Sequence, residues 1–326
     1  MKFLRFLRLP TISDLGSILK VGPTAWGIAI CLGVVAVGAR YVSTYPLTIL
    51  ISLLVFAALA YSMNFITGLT GYVSFGHVVF MGLGAYAWGG VVGTFHWSPL
   101  GSVVIGGTVG LLFALGLGAV TLRFRGVYFA IASLVTALAA GNIILAIPAL
   151  GGGQGIVLNL GFEPLSQFYT IWLILAIEVG LTYWVTHGRI GYGLRAIKGD
   201  EDAAKTLGID VTRLKLFVFG LSGLFAGAVG SVNAWTVSGV FPEAAFALLF
   251  SLLMLAMVIV GGSGTFSGPL VGAVVVYIPH TYFLTVASGA EFIVIGAMVT
   301  FIALVVPEGI VGSIRRYIPI LRGILE

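Results

Sequence analysis

Charged residues are scarce in this sequence. They make up 8% of its 326 residues, whereas hydrophobic residues make up 59% and the mean hydropathy is +1.14. A soluble globular domain carries charge at about a quarter of its positions, so this composition excludes that class of protein. Strand-like alternation of polar and apolar residues is also absent, so helices must satisfy the backbone groups inside the bilayer. The sequence therefore predicts an all-α integral membrane protein.

The sequence contains one cysteine and no nucleotide-binding motif. The single cysteine, Cys31, excludes an intramolecular disulfide and any cysteine-based metal cluster. The chain has no G-x-x-x-x-G-K-[ST] motif, and none of its five lysines follows a glycine, so we expect no ATP site. The net charge of +5 needs no nucleic-acid partner, because a membrane protein with basic inner loops reaches the same balance. We expect neither a metal nor a cofactor.

Apolar runs of about 17 to 25 residues, the length that a helix needs to cross a bilayer, recur along the chain. They predict a polytopic fold of about ten transmembrane helices, at residues 24–43, 47–66, 72–93, 100–122, 127–147, 168–186, 216–237, 246–262, 268–288 and 291–307. The transmembrane domain thus covers residues 24–310. Residues 1–23 are basic and amphipathic, so we expect them to lie at the membrane surface rather than to form a cleaved signal. Residues 311–326 form a C-terminal tail.

The basic residues indicate the orientation of these spans. If the N-terminus is cytoplasmic, 15 of the 16 lysines and arginines fall on the cytoplasmic side and only Arg40 lies outside. We therefore expect both termini in the cytoplasm.

Charge is concentrated in one stretch, residues 188–215, which holds ten of the 27 charged side chains. A charge at the bilayer centre costs about 2.5–3.5 kcal/mol, so this stretch is a cytoplasmic loop. Asp200 is placed to cap a short helix whose first turn holds Glu201 and Asp202 and which ends at Gly208. So short a helix is marginal alone, and we expect it to dock on a partner; a solvated loop is the alternative. Three apolar side chains offer a surface for docking: Ala203, Ala204 and Leu207.

Three sequence blocks resemble the branched-chain amino acid permease family of ABC importers. The first carries G-R, L-R-A-I, E-x-A-A, L-G-I and K-L between Gly188 and Leu216. The second, from Asn64 to Tyr86, fits N-x-x-x-G-x-x-G-x-x-S-x-G-H-x-x-F-x-G-x-G-A-Y. The third is "GGSGTFSGPLVGA", which begins at Gly261. The blocks keep the family's order, and the resemblance covers about residues 45–310.

This resemblance implies an M-type permease subunit of a high-affinity amino acid importer in the bacterial inner membrane, surrounded by lipid. In such importers two permease subunits, related or identical, pair across a pathway above two separate ATPase subunits, and a periplasmic or extracellular binding protein delivers the solute. The short helix would then be a cytoplasmic coupling helix seated on an ATPase. The coupling residues that the resemblance implies are Arg195, Asp200, Glu201, Ala203, Ala204, Leu207 and Gly208.

Polar residues within the spans are candidates for the translocation pathway, because burying them is expensive. The glycine-rich third span could also be broken, which is tolerated where freed backbone groups line water. For Asn64 and His77 we favour hydrogen bonds between helices over a place on the pathway, and Glu178 must be protonated, paired or exposed to water. The pathway candidates are Asn64, Gly71, Ser74, Gly76, His77 and Glu178. Small residues spaced by four also predict the close approach of a neighbouring helix: Ala85, Gly89 and Gly93.

Alternatives remain open for the transported solute and for the class of protein. Branched-chain amino acids lead, followed by other neutral or aromatic amino acids, amides and urea. A secondary transporter is a rival class. A rhomboid-like intramembrane serine protease is another, because Gly220 to Gly223 fits G-x-S-G and His280 lies two spans later. The same pattern recurs at Gly261 to Gly264, which weakens this alternative.

Overall fold

The computed structural model describes residues 23–161, 163–286 and 308–317, with isolated positions at 293, 296, 297, 300 and 304. The described helices in chain order are α1 (Pro23–Gly38), α2 (Thr44–Met63), α3 (Val78–Phe95), α4 (Pro99–Thr121), α5 (Val127–Ala146), α6 (Pro164–His187), α7 (Arg189–Gly199), α8 (Glu201–Thr206), α9 (Val211–Val237), α10 (Pro242–Ala245), α11 (Leu248–Gly261), α12 (Gly268–Val286) and α13 (Gly309–Tyr317). Two strands, β1 (Ile156–Val157) and β2 (Gly239–Val240), form the described sheet. Short 3-10 turns lie at Ala39–Tyr41, Pro148–Leu150 and Gly152–Gln154.

The prediction of an all-α polytopic membrane protein is confirmed, but the count of about ten spans is not. Seven helical stretches of the described chain are long and apolar enough to cross a membrane. They are Thr44–Gly68, Val78–Phe95, Pro99–Thr121, Val127–Ala146, Pro164–His187, Val211–Val237 and Pro242–Gly261. Helix α1 is shorter, and α12 contains Pro279. The predicted span 291–307 and the segment 1–22 lie outside the described residues, apart from the isolated positions.

Helix α9 lies at the centre of the fold and packs against α2, α3 and α4. It approaches α4 closely because both helices present glycines at their crossing: a Cβ on Gly110 would lie 2.2 Å from the carbonyl oxygen of Gly223. The close approach predicted from Ala85, Gly89 and Gly93 is different in kind, because Gly89 and Gly93 face Val240 and Leu158 of the strand region. Glycine is the residue type found at the close helix crossing, but several helices are rich in glycine, so composition did not indicate which pair of helices crosses closely.

The connections meet at two ends of the bundle. At one end, which the basic residues predict to lie outside and which we call the outer end, β1 and β2 pair antiparallel with Ile156 opposite Val240. The Trp88 indole donates to the Pro99 carbonyl at 2.9 Å at this end. At the other end, here the inner end, the predicted cytoplasmic connections 122–126, 188–210 and 262–267 come together. This grouping agrees with the alternation of spans that the basic residues predict.

Helix α2 does not continue directly into α3. It passes into a π-helical turn at Asn64–Gly68 and one further pair of helical residues, Leu69 and Thr70. Residues 71–77, here the interrupted segment, then separate it from Val78. The helix of the third span therefore begins at Val78, six residues later than the predicted start at residue 72. Gly71 has a φ of +79°, a left-handed conformation that favours glycine, and lies exposed at the inner end where the chain reverses.

Candidate functional site

The loop 188–215 is folded. Its first part is α7, whose Ile190, Leu194 and Ile197 face the body of the protein at helical spacing. The sequence prediction for residues 188–215 contains only the later short helix and not α7, although the helical spacing of these apolar residues is visible in the sequence. The second part is α8, and its predicted cap is present: Asp200 Oδ1 accepts from the amides of Asp202 at 2.8 Å and of Ala203 at 2.9 Å.

The end of α8 also follows the prediction. Gly208, two residues beyond the helix, has a φ of +81°. Its amide donates to the Lys205 carbonyl at 2.9 Å, and the Ile209 amide donates to the Ala204 carbonyl at 3.1 Å. The helix is thus closed at both ends by its own residues.

Glu201 attaches α8 to the membrane bundle. Its Oε2 accepts from the Tyr72 hydroxyl and, at 3.2 Å, from Lys215 Nζ. Lys215 is 2% exposed and also donates to the Tyr72 oxygen at 2.9 Å and to the Leu122 carbonyl at 3.2 Å. We call Tyr72, Glu201 and Lys215 the inner triad. Burial raises the pKa of Glu201, but hydrogen bonds from Tyr72, Lys205 and Lys215 outweigh that effect, and its pKa lies below the ordinary value.

A second attachment lies at the exposed rim of α8. Arg125 Nη1 and Nη2 each donate to a different carboxylate oxygen of Asp202 at 2.8 Å, a bidentate pair. These hydrogen bonds lower the pKa of Asp202 and raise the pKa of Arg125. Because both side chains are more than half exposed, solvent screens the pair, which contributes geometry more than stability.

A third attachment comes from α7. Lys198 Nζ donates to the Gly68 carbonyl at 2.8 Å and to the carbonyl and Oγ of Ser263 at 3.4 and 3.3 Å. Gly68 ends the π-helical turn, and Ser263 lies in the turn between α11 and α12. The loop therefore contacts the π-helical turn at the end of α2 and the turn between α11 and α12.

These partners do not follow from the sequence. Lys215 belongs to the first family block, and Tyr72 lies within the second. The predicted span begins at residue 216, so only the structure, in which α9 begins at Val211, places Lys215 inside an apolar helix where it requires a partner. The partner could not be named from the sequence, since Tyr72 and Glu201 are separated by 129 positions.

The face of α8 that points away from the bundle is exposed. Leu207 is 78% exposed, and Ala203 and Gly208 are also exposed, whereas Ala204 is 1% exposed and packs into the bundle. The predicted surface of Ala203, Ala204 and Leu207 is therefore wrong for Ala204, because α8 turns that methyl group inward.

Arg195 lies on α7 rather than on α8. Its Nη1 donates to the Thr186 carbonyl near the end of α6 at 3.2 Å, and its guanidinium lies 4.7 Å from the centre of the Tyr192 ring. It therefore contacts its own chain at the α6–α7 junction.

Side chains of the bundle hold the interrupted segment. The amides of Phe75 and Gly76 donate to Ser133 Oγ at 3.1 and 3.4 Å, and the Val78 amide donates to Ser251 Oγ at 2.9 Å. Gly76 must be glycine, because a Cβ there would lie 1.9 Å from the Ser133 carbonyl oxygen. The hydroxyl of Ser74 is buried and has no hydrogen-bond partner in the described chain.

Asn64 and His77 form hydrogen bonds between separate elements. Asn64 Oδ1 accepts from the Gly264 amide at 3.0 Å, and its Nδ2 donates to the Thr265 carbonyl at 3.4 Å. The ring nitrogen Nε2 of His77 lies 3.0 Å from Ser62 Oγ on α2. Five of the six pathway candidates therefore cluster on the interrupted segment and the π-helical turn.

Glu178 lies apart from that cluster, on α6. It is fully buried, and neither carboxylate oxygen has a hydrogen-bond partner among the residues described. The hydroxyl of Thr182, one turn further on, is likewise buried without a partner in the same part of the chain. The structure brings no basic side chain to Glu178 within hydrogen-bonding distance in the described regions.

The G-x-S-G sequence at Gly220 has a packing explanation. Gly223 lies in the crossing with α4, where a Cβ would come within 2.3 Å of the Ala114 methyl group. Ser222 is fully buried, and its hydroxyl has no hydrogen-bond partner among the described residues, so they contain no serine–histidine pair at this position.

In the described part of the chain, seven apolar helices long enough to span a membrane, an interrupted segment and a short capped helix define a multi-pass membrane protein. A family model described as "Branched-chain amino acid transport system / permease component" matches residues 45–305. The chain belongs to this family of permease components.

Individual relatives agree with the family. The chain is 28% identical over 288 residues to the probable branched-chain amino acid transport permease protein LivH of Methanocaldococcus jannaschii, covering 80% of this chain and 89% of that protein. It is 25% identical over 305 residues to the high-affinity branched-chain amino acid transport system permease protein LivM of Escherichia coli, covering 83% and 71%. The ribose import permease protein RbsC of Escherichia coli is 29% identical over 119 residues, 35% of this chain and 36% of RbsC. No solved structure matches.

Proposed function

We propose that the chain is the transmembrane permease subunit of an ABC importer for branched-chain or other neutral amino acids, driven by ATP hydrolysis on two separate ATPase subunits. The observation that carries the proposal is α8, which is anchored through Glu201 and Asp202 on one side and exposed at Leu207 on the other. A short helix held in this way is suited to receive a force from a partner protein. The relatives LivH and LivM are named as branched-chain amino acid permeases, which supports the amino acid cargo.

The remaining partners follow from the same proposal. A second permease subunit, related or identical, would complete the pathway, and a periplasmic or extracellular binding protein would deliver the solute. The protein would lie in the bacterial inner membrane with both termini in the cytoplasm, which places α8 on the ATPase side. Other small solutes such as amides or urea are compatible with the same architecture, since the binding protein would do most of the selection.

The test is to co-purify the ATPase subunits with the permease. Leu207→Arg changes an exposed side chain, so the permease should insert and fold normally but retain less than about a tenth of the ATPase, as expected when a buried interface position receives a charge. Val157→Arg makes the same change at an exposed site at the outer end and should retain the ATPase fully. Equal retention by both variants would contradict the docking role of α8. Uptake that proceeds without ATP would instead indicate a secondary transporter.

A further inference from the structure

Among the described residues, Tyr72 forms a hydrogen bond that joins the interrupted segment to α8. Its ring is almost fully buried, packs edge-to-face on Phe129 with ring centres 5.2 Å apart, and lies 4.3 Å from Lys215 Nζ. Its hydroxyl donates to Glu201, the first residue of α8. Tyr72, the residue directly after the reversal of the chain at Gly71, is thus joined to the helix proposed to contact the ATPase.

The hydrogen bonds of the inner triad fix the distance between α8 and the interrupted segment. Lys215 has three oxygen acceptors, and Tyr72 both donates and accepts. Glu201 accepts from Tyr72 and Lys215 through Oε2, and its Oε1 lies 3.1 Å from Lys205 Nζ. Charge-assisted hydrogen bonds of this kind specify geometry strongly, and a buried network favours one arrangement over partly paired ones. Two other ion pairs of the loop, Arg125 with Asp202 and Arg213 with Asp210, are exposed and do not include a residue of the interrupted segment.

The interrupted segment beyond Tyr72 is held in a way that permits displacement. Its amides at Phe75 and Gly76, and that of Val78, donate to serine hydroxyls of α5 and α11 rather than to a helix backbone. A hydroxyl can rotate and accept from a shifted donor, whereas a helix resists such a shift with its own hydrogen-bond ladder. Displacement at Tyr72 would therefore move this segment relative to the bundle.

We propose that the inner triad of Tyr72, Glu201 and Lys215 transmits movement of α8 to the interrupted segment, making Tyr72 a positioning residue for transport. The inference rests on the proposed function, because it takes α8 as the helix that an ATPase moves. It adds the element on which that movement acts, residues 71–77, and the side chain through which it acts.

The test uses the complete importer in proteoliposomes, with labelled leucine as the solute and with uptake and ATP hydrolysis measured in the same samples. Tyr72→Phe removes only the hydroxyl and keeps the ring on Phe129. We expect the ATPase subunits to remain bound and hydrolysis to continue, while leucine uptake falls about tenfold or more, the effect of losing a hydrogen bond to a charged group. The number of ATP molecules consumed per leucine should rise by the same factor.

Glu201→Gln keeps an oxygen acceptor for Tyr72 and should lie between wild type and Tyr72→Phe; it also serves if Tyr72→Phe assembles poorly. Asp210→Asn breaks the exposed pair with Arg213 and should keep the wild-type ratio. An unchanged ATP-to-leucine ratio in Tyr72→Phe and Glu201→Gln overturns the triad's role, as does loss of bound ATPase in both or an equal change in Asp210→Asn. Failure of the wild type itself to bind ATPase or to take up leucine with ATP would refute the proposed function instead.

Discussion

The buried position of Lys215 makes a sharp stability prediction. Glu201→Ala would leave this ammonium group, 2% exposed, with only the Tyr72 hydroxyl and the Leu122 carbonyl as acceptors. At 3.2 Å the attraction to the carboxylate is about 5 kcal/mol for an effective dielectric constant of 20. The lost carboxylate had its own desolvation cost, which offsets part of that attraction. We expect a net loss of about 3 kcal/mol, the lower end for breaking a buried pair.

The matched variant is the double substitution Glu201→Ala with Lys215→Met. It removes both charges and keeps an unbranched apolar chain in the space of the lysine, so most of the lost stability should return, to within about 1 kcal/mol of wild type. The free energy of unfolding would be measured by titration of the permease from mild detergent into dodecyl sulfate, followed by circular dichroism. A double variant as unstable as Glu201→Ala, or a single variant within about 0.5 kcal/mol of wild type, would refute the buried-charge argument.

Two further predictions concern the bundle and the helix cap. Gly110→Ala places a methyl group 2.2 Å from the Gly223 carbonyl oxygen and should separate α4 from α9 at a cost of about 2 kcal/mol or more. The control Gly116→Ala, with open space around it, should instead stabilise α4 by about 0.5–1 kcal/mol. The same unfolding titration measures both variants, and equal effects would contradict the close helix crossing. Asp200→Ala removes the cap of α8 at a cost of about 1 kcal/mol, so amide hydrogen exchange at Asp202 and Ala203 should become about fivefold faster. Asp200→Asn keeps an oxygen acceptor and should exchange like wild type. Unchanged exchange in Asp200→Ala would mean that the cap does not stabilise the helix.

Local features of the candidate site could be predicted from the sequence. The cap at Asp200 and the end at Gly208 depend on residues within a few positions of each other, so the sequence contains them. The same is true of the membrane class, since a composition this apolar has no other stable environment. The glycines of the third span predict its interruption but not its bounds. The bounds depend on the amides of Phe75, Gly76 and Val78, which donate to serine hydroxyls of distant helices.

The sequence by itself determined the apolar helices and a capped, charged helix in the loop 188–215, while the alternation of the spans across the membrane stays a prediction from the basic residues. Only the tertiary structure decided which way that helix faces: Ala204 and Glu201 turn inward, and Leu207 turns outward. The physical reason is that hydrophobic periodicity describes one element at a time, and a six-residue helix is too short to have a marked apolar face. Its orientation was decided by Lys215 and Tyr72, two buried polar groups from other elements whose hydrogen bonds converge on Glu201.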